Sequence, residues 1–259
     1  MCAAPQKIGP RHKLYGVQRK IDRAAYHLEV FKRHINDFLG EKHYEVSEKV
    51  NSEAGTYIFR VKPILAPPGT EWGILLGEIV HNLRSALDNL AWQLALLTKE
   101  SPYRYTCFPI YKDDTDQARR DITRILQDVS IEAQDIIKEL QPYHSGDSAK
   151  DHALWILHGL WNTDKHKIIP LVPFGLSWKV PKHPDIASTM LDDASVQVVM
   201  PIELRNQIDF KPEVVQEVSF RYDERTEVQS VNIGAIFHAH QAVRDLVLPR
   251  FLRFFPPQQ

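Results

Sequence analysis

Cysteine is nearly absent from this chain of 259 residues: Cys2 and Cys107 are its only two, too few for a disulfide framework or a cysteine-based zinc site. A surplus of either charge is missing too, since 32 basic residues meet 33 acidic ones for a net charge of −1. No global field therefore draws the chain to nucleic acid or to an anionic membrane, and any such binding must use a local patch. Long apolar runs are lacking: nothing reaches the roughly 18 uninterrupted apolar residues of a membrane span, and residues 1–11 hold no apolar stretch of signal-peptide length. These absences predict a soluble, cytoplasmic protein with no membrane partner. The 12 His residues include no His-Glu-x-x-His, and His238 and His240, two apart, fall on different sides of a helix. Neither a metal nor a cofactor is expected. There is no repeat of solenoid period and no low-complexity segment.

What is present is a long helix over residues 73–97 with three distinct stripes at about 100° per residue. Leu76, Ile79, Leu83, Leu87, Leu90 and Leu94 make a strongly apolar face, and Glu78, Asn82, Ser85, Asn89 and Gln93 make a polar one. The third sector holds Gly73, Gly77, His81, Arg84, Asp88, Ala91 and Ala95. Glycine costs about 1 kcal/mol relative to alanine inside a helix, so two of them one turn apart point to another backbone packed close by. The ionisable trio His81, Arg84 and Asp88 then sits between helices. A structural reading makes Arg84 and Asp88, four apart, an intrahelical pair that fastens the helix to its neighbours. A functional reading makes the trio part of a polar pocket at a helix junction.

Around this helix the periodicities predict an α+β fold, mainly a helical bundle with a central buried helix. A first helix over 13–42 repeats Leu14, Val17, Ile21, Ala24, Leu28, Phe31, Ile35 and Phe38 at three and four. Alternating segments at 44–50 and 55–65 predict a β-hairpin. Pro67, Pro68 and Gly69 close its second strand, and Thr70 is the expected N-cap of the central helix. Helices are expected at 116–127 and 130–140, a polar connector at 145–150, and a further helix from 151 toward His166. Strands are expected at 171–180 and 195–201, a second hairpin at 214–222 with 228–231, and a closing helix over 232–254. All of residues 1–259 are expected to form one domain, with a helical core over about 13–170 and the β-rich segment 171–231 packed on it.

A second polar cluster lies at the end of the helix from 151. On one heptad stripe of that helix fall His152, Trp155, Gly159, Asn162 and His166, followed closely by the run Asn162-Thr163-Asp164-Lys165-His166. Imidazole exchanges protons near neutral pH, and an amide or ammonium can bind developing charge. Equally, Asn162 can satisfy helix-end backbone groups while Asp164 and Lys165 form a solvated turn. Each cluster offers the counter-groups the other lacks, so His81, Arg84 and Asp88 are expected to face Asn162, Lys165 and His166, with Asp164 counted among the candidate binding residues. Trp155, Trp161 and Trp178 are either core or pocket wall.

The segments His81-Asn82-Leu83-Arg84-Ser85-Ala86-Leu87-Asp88-Asn89-Leu90-Ala91-Trp92 and Asn162-Thr163-Asp164-Lys165-His166-Lys167, with Phe108-Pro109-Ile110 and Leu140-Gln141-Pro142-Tyr143 between them, resemble an uncharacterised family of bacterial and phage proteins. That family has no assigned activity; the resemblance implies that the two segments belong together. The chain also resembles the HEPN superfamily of helical bundles, which includes metal-independent ribonucleases and nucleotide-binding modules. Its usual motif is Arg, four to six residues, then His; here Asn89 follows Arg84 at that range, and Trp161 stands where His166 would want its Arg. The resemblance implies RNA or a nucleotide as ligand, His166 as general base and Arg84 as phosphate stabiliser. The expected function is thus a binding or interaction module with an unidentified ligand, the alternatives being RNA cleavage and a structural, homodimeric assembly role.

Overall fold

A computed structural model describes residues 8–41, 43–64, 69–169, 171–178, 183–192, 195–207, 214–223 and 228–256. Helix α1 (Tyr15–Gly40) is followed by a hairpin of β1 (Tyr44–Asn51) and β2 (Thr56–Pro63), and then by helices α2 (Gly69–Ala95), α3 (Asp116–Ile125), α4 (Ile131–Glu139) and α5 (Ala153–His166). Strands β3 (Leu171–Trp178), β4 (Ala187–Met190) and β5 (Val196–Pro201) follow, then α6 (Ile202–Gln207), β6 (Val214–Asp223), β7 (Val228–Asn232), α7 (Ile233–Gln241) and α8 (Leu248–Phe251). The fold is α+β. No helix among the described residues is long and apolar enough to cross a membrane. The expected turn at Pro67 and Pro68, the strand end at Val180 and the side chain of Trp178 lie outside the described residues.

The chain divides into two compact units, each assembled from separated segments. The first comprises residues 1–31, 70–170 and 220–259, and the second comprises 32–69 and 171–219. In the first, the apolar repeat of α1 is buried as its spacing demands, with Leu14, Ile21, Ala24, Leu28 and Phe31 all sealed from solvent. Phe31 meets Trp72 edge-on at 5.7 Å and packs on Phe220 at 5.5 Å, so α1, the start of α2 and the end of β6 share one core. Leu76, Ile79, Leu83, Leu87, Leu90 and Leu94 of α2 are buried together. Each such side chain contributes roughly 1.5–3 kcal/mol when removed from water.

The second unit holds a four-stranded antiparallel sheet in the order β1-β2-β5-β4. Strand alternation puts Tyr57, Phe59 and Val61 of β2 on one face, and the register sets them opposite Met200, Val198 and Val196 of β5. Tyr57, Phe59, Val61, Val198 and Met200 form the apolar cluster there, joined by Tyr44, Ile186 and Leu204. Gly55, at φ +62°, supplies the left-handed residue that the β1–β2 turn requires. A second sheet runs β3-β6-β7.

Several local expectations shift. The central helix begins at Gly69, ahead of Thr70, which therefore lies inside the helix instead of capping it. The expected connector at 145–150 is part of a 3₁₀ segment, Pro142–Asp151. The closing helix is interrupted by a π turn over Ala242–Val247, in which Leu248 N–H donates to Val243 O. Its cause is Pro249, which has no N–H to offer and whose ring would strike the carbonyl one turn back.

Candidate functional site

Helices α2 and α5 pack antiparallel within the first unit, and the glycines of α2 set their separation. A Cβ on Gly73 would lie 2.6 Å from the Ile169 carbonyl oxygen and 2.5 Å from Ile168 Cγ2, and one on Gly77 would lie 2.1 Å from Asp164 Oδ1. Further along, the Arg84 guanidinium lies 5.0 Å from the centre of the Trp161 ring. The two segments singled out in the sequence therefore touch, in the order 73 to 168, 77 to 164 and 84 to 161.

Arg84 is only 4 % exposed, although it carries a permanent charge. Its Nη2 reaches Asp88 Oδ1 at 2.9 Å and donates to Phe108 O at 2.7 Å. Asp88 Oδ1 in turn accepts from Phe108 N–H at 3.0 Å. The ion pair thus grips both backbone groups of one residue and pins the segment after α2. Burial raises the Asp88 carboxyl above its ordinary range, against the opposing pull of Arg84 and the Phe108 N–H. The same loop is held from the other side by the buried Gln141, which donates to Pro109 O and Ile137 O and accepts from Tyr111 N–H.

Among the described residues three buried donors of this cluster have no acceptor. Arg84 Nε and Nη1 are buried without a hydrogen-bond partner, and so is His158 Nδ1. Asn162 Nδ2 donates to His158 Nε2 at 2.9 Å, which places the ring proton on Nδ1 and makes that orphan a donor as well. Burial, with repulsion from Arg84 and Lys165, pushes His158 down to about 4, so its imidazole is neutral at physiological pH. Lys165 Nζ sits 3.2 Å from the Trp161 ring centre, giving one indole two cations. Desolvation and then Arg84 lower the Lys165 ammonium. Trp155 and Trp161 are both half-buried, neither pure core nor free surface, and Lys112 lies over Trp155 at 5.5 Å.

One turn away on the same helix pair opens a cleft of about 330 Å³ lined by Ile74, Gly77, Glu78, His81, Asn82, Asp164 and Ile168. His81 is exposed there and stands outside the Arg84–Asp88 pair, while Asp164 is half-buried against α2. Burial raises the Asp164 carboxyl, with His81 pulling the other way. His166 is exposed in the last turn of α5. The structure thus gathers Arg84, Asp88, Asn162 and Lys165 in one cluster and His81 and Asp164 in a neighbouring cleft. Sequence reasoning passed over His158, Trp161 as a cation platform, and Phe108 as the residue gripped. The first of these carried a signal: His158 lies four residues before Asn162, on the same helical face.

Among the described residues no three His, Cys, Asp or Glu side chains converge as metal ligands. Comparison with family profiles, with curated proteins and with solved structures finds no match for the chain.

Proposed function

We propose that the protein is a binding module that holds an anionic group at the Arg84–His158–Lys165 cluster. One observation carries the reading: every buried polar atom left unpartnered in this cluster is a donor, namely Arg84 Nε, Arg84 Nη1 and His158 Nδ1. Unpartnered buried donors cost about 1–3 kcal/mol each, and a ligand rich in acceptors would remove that cost. The local charge agrees, because Arg84 and Lys165 face Asp88 as the one carboxylate of the cluster. Lys165, an exposed residue lying on Trp161, can swing aside to admit the ligand and then pair with it. A phosphate of a nucleotide or of RNA has this chemistry. A cytoplasmic setting belongs to the same reading, since the half-buried thiol of Cys107 is free.

Calorimetric titration with inorganic phosphate and with a short RNA tests it. Saturable binding of at least one of them is expected, weakened tenfold or more by Lys165→Met and by Arg84→Lys. No saturable heat with either anion would refute the reading. A second activity, cleavage of the bound RNA, is favoured by the position of His166, exposed and directly after Lys165. Cleavage that survives His166→Ala in a folded protein would exclude that activity and leave the binding reading intact.

A further inference from the structure

The cleft one turn from the anion cluster is lined by a half-buried carboxylate, Asp164, whose electrostatic neighbour there is the exposed His81. Among the described residues nothing donates a hydrogen bond to Asp164 or forms an ion pair with it, whereas Glu78 at the rim is paired with His27 at 3.3 Å. Its place in the sequence is unfavourable as well, since an acid in the last turn of α5 opposes the helix dipole, whose C-terminal end is negative. Its neighbour on α2 adds to this. Gly77 weakens that helix, and any side chain at this position would displace the Asp164 carboxylate, from which a Cβ would stand 2.1 Å away. Two residues of low local preference, one on each helix, thus meet at a single point.

The walls of the cleft are of a different kind. Ile74 and Ile168 flank it and are 49 % and 48 % exposed, which leaves two large aliphatic side chains in water on either side of the acid. A group of opposite charge borne on an aliphatic stem would pair with the acid and cover both isoleucines.

We infer that this cleft binds a primary ammonium carried on a short aliphatic stem, with Asp164 as its counter-ion and Ile74 and Ile168 against the methylenes. Glu78 lies at the rim, where a second ammonium of a diamine would emerge. The chemistry is shared by free alkyl diamines and by a lysine side chain. This site is independent of the anion cluster and stands whether or not that cluster binds.

Titration of the full chain with pentane-1,5-diamine, and separately with Nα-acetyl-lysine methylamide, tests the inference, with pentan-1-ol as the neutral control. Saturable binding of the diamine is expected, with amide chemical-shift changes centred on Gly77 and His81. Asp164→Asn, which keeps the side-chain shape, should weaken it tenfold or more, and Ile74→Ser, on the exposed wall, should weaken it several-fold. Binding of the diamine alone assigns a free amine, and binding of both assigns a lysine side chain as well. Absence of saturation with either amine, equal affinity in Asp164→Asn, or equal affinity for the alcohol would overturn the proposal. Ile74→Ser keeps it falsifiable should Asp164→Asn fail to fold.

Discussion

Alanine at Gly73 and alanine at Gly77 look alike in sequence, yet the structure separates them. Both sit inside α2, where alanine is about 1 kcal/mol more favourable than glycine, so each substitution begins with the same gain. At Gly73 the new Cβ meets a backbone carbonyl, Ile169 O at 2.6 Å, together with Ile168 Cγ2 at 2.5 Å. A carbonyl in the chain leaving α5 cannot move alone, so the two helices must separate, and overpacking of that kind costs roughly 1–3 kcal/mol. At Gly77 the Cβ meets only the end of the Asp164 side chain, which can rotate away. We therefore expect Gly73→Ala to lower stability by up to about 2 kcal/mol net, or up to about 6 °C in melting temperature. Gly77→Ala should be neutral or stabilising by up to about 1 kcal/mol. Circular-dichroism melts provide the comparison, and hydrogen exchange of α2 and α5 amides isolates the first unit. In the background of Asp164→Ala, Gly77→Ala should show its full propensity gain. Gly73→Ala more stable than the wild type, or Gly77→Ala the worse of the two, would refute the packing argument.

Arg84→Met removes the partner of a partly buried carboxylate and the donor to Phe108 O; a loss of about 2–4 kcal/mol in urea unfolding is expected. Gln141→Leu strips two hydrogen bonds from the segment after α2 and one from Ile137 of α4 and should cost about 2–4 kcal/mol, with faster proteolysis between 101 and 115. His158, held near 4 against an ordinary 6.5, binds its proton less readily folded than unfolded. Its contribution is therefore complete above about pH 6.5, falls as pH drops toward 4, and amounts to about 3 kcal/mol over that window. His158→Phe should flatten that part of the stability profile, leaving the smaller slopes of His27, His152 and His240, which burial also lowers; an unchanged profile would disprove the assignment.

Much of this architecture was legible because it follows from periodicity. The 3.6-residue repeat of α1 and α2 and the alternation of β2 and β5 follow burial, which is what those patterns encode, whereas β1 is exposed between its end residues. The glycine sector of α2 forecast a close neighbour without naming it. Short elements escaped: β4 and α6 are four and six residues long, too brief to show a period. Each unit recruits segments far apart in the chain, and no local composition marks its limits. In the site, spacing of four revealed Arg84 with Asp88, but nothing local indicates that the pair holds the backbone of Phe108, 20 and 24 residues away. His158 was passed over because a histidine amid Trp155, Leu157, Leu160 and Trp161 reads as core.

The order in which the ribosome delivers these segments matters for how the first unit is made. Tyr222 stacks directly over the backbone at Gly159, where a Cβ would lie 2.5 Å from its ring, and Phe220 closes on Phe31. Helices α1, α2 and α5 must therefore wait, with apolar faces uncovered, while the rest of the second unit is synthesised between residues 171 and 219. A nascent chain halted before 220 lacks the residues that seal its own core, and in that interval the protein is a natural client for chaperones and proteases.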